Sequence, residues 1–177
     1  MTEIILQPLV GAEVNGKGKI LFGQNQDEVI AILGEPVRKN TKVYSSSNRE
    51  IFYYYDFEFT IFFHHKKVEF IECNGPYCEK ITPIIFEKDA FSLLAEDLIA
   101  LLSSKDNQRF HGMGSSSFFE LSVELYREMT PLDVEKSIED AKKNGYYEDE
   151  KEWLEKDLEK SKHFHTIGMG VKDYYRK

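Results

Sequence analysis

Two stretches of this chain carry the same ordered run of side chains. Asp27-Glu28-Val29-Ile30-Ala31-Ile32-Leu33 has the spacing of an acid-led helix, and it precedes an alternating aromatic run, Phe57-Glu58-Phe59-Thr60-Ile61. Glu96-Asp97-Leu98-Ile99-Ala100-Leu101-Leu102 precedes Phe119-Glu120-Leu121-Ser122-Val123, matching in order, polarity and size. A helix needs apolar groups every three to four residues, whereas a half-buried strand needs them at every second residue. A chain that repeats both patterns in the same order is constrained to an α+β fold. The expected architecture is two tandem helix-plus-antiparallel-sheet units, 1–76 and 77–177, with a helical hairpin inserted in the second at 131–162.

Local signals place the elements. Residues 3–6 and Lys19-Ile20-Leu21-Phe22 read as short strands around an Asn15-Gly16-Lys17-Gly18 turn. Asn25 with Glu28 three residues on forms a capping-box pattern, and Gly34 and Pro36 stop the helix. Ser45-Ser46-Ser47-Asn48 reads as a loop. Strands are expected at 51–55, 57–63 and 68–73, with turns at Asp56 and at His64-His65-Lys66-Lys67. Ile81 to Phe86 opens the second unit, Asp89 or Ser92 can cap its helix, and Phe118 to Arg127 is its strand. Where the first unit has the His64–Lys67 turn, the second has about thirty extra residues. Thr130-Pro131-Leu132-Asp133 starts a helix there, with proline at the first position and an acid in the first turn. Asn144-Gly145 ends it, and Trp153, Leu154 and Leu158 mark the inward face of a second helix. Ser161 to Lys172 returns as the closing strand.

Charge and composition exclude some classes. The net charge of −8 repels phosphate backbones, which argues against nucleic-acid binding and suits a basic protein partner. Half of that charge lies in the insert, where eleven acids face seven lysines. The plainer alternative is a solvated helical face with ion pairs at four-residue spacing. No stretch is long and apolar enough to cross a bilayer, and Met1–Pro8 lacks the features of a signal peptide, so a cytoplasmic location is expected. Cys73 and Cys78 read as reduced thiols, too few for a disulfide framework or a zinc ribbon.

Little in the chain points to catalysis. His163 and His165 alternate on an expected strand, and His64 and His65 sit at the opposite end of a neighbouring hairpin's turn, so a joint site needs a favourable topology; no metal or cofactor is expected. Neither cysteine sits in a setting that lowers its pKa. Gly112-Met113-Gly114-Ser115 lacks the lysine of a phosphate loop. Glu58 and Glu120, at matching repeat positions, read as solvent-facing strand residues rather than an acid–base couple. No catalytic residue is expected. The aromatics stand apart. Tyr53-Tyr54-Tyr55 and Phe62-Phe63 are consecutive, so both faces of the sheet are covered or one is exposed for contact.

The segment Ile20-Leu21-Phe22-Gly23, with Gln26-Asp27-Glu28-Val29 and Leu33-Gly34-Glu35-Pro36 after it, resembles the β-lactamase-inhibitor-protein type of fold and the small BamE outer-membrane assembly factor. In those families a small-residue turn leads to an acidic helix start, a Leu-Gly-x-Pro stop and an antiparallel sheet. The match spans 19–73, and extends loosely over 86–175, since Gly34-Glu35-Pro36 has no counterpart after Leu102. It implies a fold and transfers no contact residues by position; the export signal of both families is lacking. At the level of organisation the chain is similar to the immunity proteins of bacterial toxin systems.

These readings converge on a non-enzymatic protein-binding module, an immunity-type inhibitor that occludes a basic partner. Tyr53, Tyr55, Phe63, Glu150, Trp153 and Glu155 are the expected contact residues. The alternative is an enzyme or small-ligand-binding protein with a pocket between sheet and helices lined by His111, His163 and His165. Self-association through the hairpin is a third possibility.

Overall fold

The computed structural model describes residues 1–40, 49–112 and 114–176. The expected Ser45–Asn48 loop lies outside them. The chain opens with a meander, β1 (Thr2–Gln7), β2 (Gly11–Val14) and β3 (Gly18–Leu21), followed by helix α1 (Gln26–Leu33). A second meander follows: β4 (Arg38–Asn40), β5 (Arg49–Tyr54), β6 (Phe59–His64) and β7 (Lys67–Asn74). The hairpin β8 (Ile81–Ile85) and β9 (Lys88–Asp89) leads to α2 (Ala95–Ser103), then to β10 (Arg109–Gly112), β11 (Ser115–Phe118) and β12 (Val123–Tyr126). Helices α3 (Pro131–Asn144) and α4 (Tyr147–Ser161) intervene before β13 (Thr166–Gly170), and a 3-10 turn covers Tyr174–Arg176.

The fold is α+β. Each of α1 and α2 is followed by a four-stranded antiparallel meander, and the α3–α4 hairpin interrupts the second meander before its last strand. The two meanders form one eight-stranded sheet in the order β10-β11-β12-β13-β7-β6-β5-β4. They meet along their last strands, β7 and β13, which pair antiparallel with Glu72 opposite Gly168. A pseudo-two-fold axis through that pair superposes one meander on the other. It places Phe59 on Val123, Ile61 on Leu125, Cys73 on Met169 and Ile71 on Ile167, and all eight side chains are fully buried.

The repeat is therefore real in topology, but the sequence match that suggested it is two residues out of register. Phe57 and Glu58 do not begin β6. They belong to a turn over Tyr55–Glu58, with φ of 52°, 54° and 73° at Tyr55, Asp56 and Phe57. Phe119–Ser122 forms the corresponding turn between β11 and β12. Alternating apolar groups run straight through a tight turn in sequence, so periodicity alone cannot see the break.

A five-stranded sheet, β3-β2-β1-β8-β9, completes the core. Its β1–β8 pair is parallel, so a strand from each half of the chain lies side by side. Strand β2 gave no sequence signal, because Gly11-Ala12-Glu13-Val14 holds one strong strand former. One continuous cluster joins one face of the large sheet to Val29 of α1, Leu98 and Leu102 of α2, and Ile4, Ile20, Ile81 and Ile85 of the small sheet. Burial of each such side chain contributes about 1.5–3 kcal/mol.

The caps are met in different ways. Asn25 and Thr130 both close reciprocal capping boxes, on α1 and α3. Asp89 caps only the Phe91–Ser92 turn, and α2 begins later, at Ala95, without a side-chain cap. The Ala95 N–H instead donates to the Lys162 carbonyl, 2.8 Å away, so tertiary structure replaces the cap.

Candidate partner-binding site

The hairpin is anchored at its base. Arg127, almost fully buried, donates from Nη1 to the Ser161 carbonyl at 3.0 Å and from Nη2 to Glu96 Oε1 of α2 at 3.2 Å. Its guanidinium also lies over the Phe164 ring, 5.4 Å from the centroid. His163 Nδ1 bonds the Leu93 carbonyl at 2.9 Å, and the Gly75 N–H donates to the His165 carbonyl at 2.7 Å. Val134, Ala141 and Leu154 are buried away from the main cluster and give the hairpin a small core of its own.

Between α4, the Tyr55–Glu58 turn and the loop after β7 lies an open cleft of about 570 Å³. Three aromatic rings at its edge are largely exposed: Phe57 at 46%, Tyr77 at 60% and Trp153 at 59%. Four carboxylates line it, and their roles differ. Glu58 Oε1 accepts the Glu79 N–H at 2.7 Å, and Oε2 accepts those of Lys80 and Ile81 at 2.9 and 3.0 Å, so it fastens the start of β8. Asp56 pairs with Lys80 at 3.8 Å. Glu128 and Asp157 form no hydrogen bond or ion pair with another described residue. The lone lysine of the lining, Lys160, holds its Nζ 6.0 Å from the Tyr77 ring centroid. His165 also faces the cleft. Its Nε2 is buried without a described partner, and burial holds its pKa below the usual histidine value, so the ring is neutral near pH 7.

The expected contact residues divide. Trp153, Glu150 and Glu155 are exposed on α4. The Trp153 side chain is thus turned outward, not inward as its spacing suggested, and Leu154 beside it takes the buried position. Glu150 and Glu155 meet no described cation, whereas Glu152 pairs with Lys156 at 2.7 Å, four residues on. Tyr53 is half-buried against Phe57, with ring centroids 5.2 Å apart. Tyr55 packs toward Phe59 and the core. Phe63 is corrected outright. It is fully buried against Phe52, 4.6 Å between centroids, and no partner can reach it in the folded chain.

The three histidines of the alternative pocket do not converge. His111 sits on the edge strand β10, with Nδ1 3.0 Å from Ser116 Oγ. His163 is held by Leu93, and His165 alone faces the cleft. Neither His163 nor His165 lies on β13, so strand alternation does not apply to them. Among the described residues no three histidine, cysteine or acidic side chains are grouped for a metal ion. Burial pushes the Cys73 thiol well up, and Cys78, which donates to the Asn74 carbonyl at 2.9 Å, is pushed up to about 12. Glu58 and Glu120 are turn residues that accept backbone N–H groups, Glu120 from Asn107 at 3.0 Å, rather than solvent-facing strand positions.

The other face of the large sheet carries Tyr53, Thr60, Glu72, Glu124 and Ser117 in one cross-strand row through Gly168. The 3-10 turn folds over part of this face. Tyr174 stacks on Phe70 at 4.9 Å, and Tyr175 lies over Gly168, where a Cβ would come within 2.4 Å of Phe70 Cζ. Burial, with Glu124 as a second cause, raises the pKa of Glu72.

Phe57, Tyr77, Glu128 and Asp157 escaped the sequence reading as site residues, because the cleft is assembled from five separate segments of the chain. Tyr77, hidden in the Asn74-Gly75-Pro76 turn, gave no periodic signal. Among the described residues no helix is long and apolar enough to cross a membrane. No protein-family model, no curated protein and no solved structure matches the chain.

Proposed function

We propose that this chain is a non-enzymatic protein-binding module, an immunity-type inhibitor acting in the cytoplasm by occluding a basic partner. One observation carries the reading. Phe57, Tyr77 and Trp153 are exposed together at the rim of a single cleft in which the Glu128 and Asp157 carboxylates form no ion pair with a described residue. Aromatic anchors surrounded by charge are the usual make-up of a protein contact site. On α4, Glu150 stands one turn before Trp153 on the cleft side and Glu155 stands on the opposite flank; both are exposed and add to the negative field that steers a basic surface toward the hairpin.

The test is kinetic. With a partner recovered by affinity capture, Glu150→Lys with Glu155→Lys should slow association about tenfold at low salt, with little effect on dissociation. The difference should shrink at high ionic strength. Association rates that ignore the charge reversal at every salt concentration would remove the hairpin from the contact surface. Capture that returns chaperones alone counts against a dedicated partner.

A further inference from the structure

We infer that the hairpin cleft is the seat of one arginine side chain of the partner, its guanidinium lying against the exposed rings and facing Glu128 and Asp157. This rests on the protein-binding reading and names the group that the site selects.

The cleft's volume of about 570 Å³ falls in the range of sites that enclose small groups. Its lining includes the Phe57, Tyr77 and Trp153 rings and the Glu128 and Asp157 carboxylates, and an aromatic face and a carboxylate each favour a cation. A ring presents negative charge on its face and attracts a cation within about 6 Å of its centroid. Glu128 and Asp157 have no described cation to neutralise them. An apolar or anionic occupant would desolvate those carboxylates without compensation. His165 is kept neutral by burial, so it does not oppose a cation near pH 7. The chain itself supplies a stand-in, since the Lys160 ammonium already hangs over the Tyr77 ring. A guanidinium suits the site better than an ammonium. It is planar, stacks on rings and bonds carboxylates in pairs.

Trp153 is the chain's single tryptophan, so its fluorescence reports from the cleft rim. The full chain is titrated with N-acetyl-arginine amide, N-acetyl-lysine amide and the uncharged isostere N-acetyl-citrulline amide. The arginine amide should give a saturable change, with the lysine amide weaker and the citrulline amide about tenfold weaker. Glu128→Gln with Asp157→Asn should weaken arginine binding roughly fivefold to tenfold at low salt. Lys160→Gln should strengthen it about twofold to fivefold, because it removes the competing ammonium. A gain of affinity cannot come from a damaged fold, and circular dichroism checks the other variants.

No saturable response to the arginine amide overturns the inference. So does an equal response to citrulline, or indifference to both the carboxylate and Lys160 substitutions. If the amides fail while the hairpin reversals still slow a partner, the docking surface stands without this anchor. If the amides bind as expected and no partner depends on the hairpin, the cleft is a small-cation site and the protein-binding reading falls.

Discussion

Glu58 offers the sharpest test of how the two sheets are joined. Its carboxylate accepts three backbone N–H groups, from Glu79, Lys80 and Ile81, just as the chain enters β8. The next link is the Thr2 N–H donating to the Lys80 carbonyl at 2.7 Å, which seats β1 beside β8. Hydrogen bonds to a charged acceptor contribute about 1.5–3 kcal/mol each when water cannot replace them. Water can replace the first two here, because those bonds are exposed, and only the Ile81 bond is part-buried. Counting that bond in full and the others at a few tenths each gives a loss of about 2–4 kcal/mol for Glu58→Ala. Glu58→Gln should lose about half of that, since one oxygen remains while an amide nitrogen faces a donor. Urea unfolding followed by far-ultraviolet circular dichroism and Trp153 fluorescence measures both. The midpoint should fall with the slope unchanged. A loss under about 0.5 kcal/mol for Glu58→Ala would show that the carboxylate merely decorates a joint held by packing.

Two further outcomes are expected. Asn25→Ala and Thr130→Ala each remove one half of a capping box and should cost about 1 kcal/mol. The Thr130 change should loosen the hairpin, seen as faster amide exchange in α3, while the Asn25 change should lower the midpoint of global unfolding. Glu72→Gln should raise the melting temperature at neutral pH. Burial raises the Glu72 pKa, so its contribution to stability is full below the ordinary value of 4.5 and is lost as pH rises through the higher folded value. The gain from Gln should therefore vanish below pH 4.5, and a pH-independent effect would place its cause in packing.

The local chemistry of this chain was easier to read than its register. The capping box at Asn25 and the helix start at Thr130 were legible because every atom of a cap lies within four residues. The tandem architecture was legible because two helices and two meanders repeat in order. The two-residue slip at Phe57 and Phe119 was not, since a turn with left-handed residues leaves no mark when its side chains keep alternating. Phe63 shows the converse limit. Consecutive Phe62 and Phe63 signalled that both faces were covered or one was exposed for contact, but not which ring was the core one. The cleft was invisible for a different reason. Phe57, Tyr77, Trp153 and His165 meet only after both sheets and the hairpin have closed, and no spacing in the chain encodes that meeting.

The seam between β7 and β13 also has a consequence for synthesis. β7 is made early, yet its neighbour β13 emerges from the ribosome only after α2, the first three strands of the second meander and both hairpin helices. In that interval β7 offers a bare row of peptide donors and acceptors beside Ile71 and Cys73, the kind of template that recruits a stray strand. Pairing across so long a stretch of chain is slow. A nascent molecule is thus exposed to misassociation until its final strand slots in, and the lysines at 66 and 67, at the head of β7, stand where charge discourages an intruder.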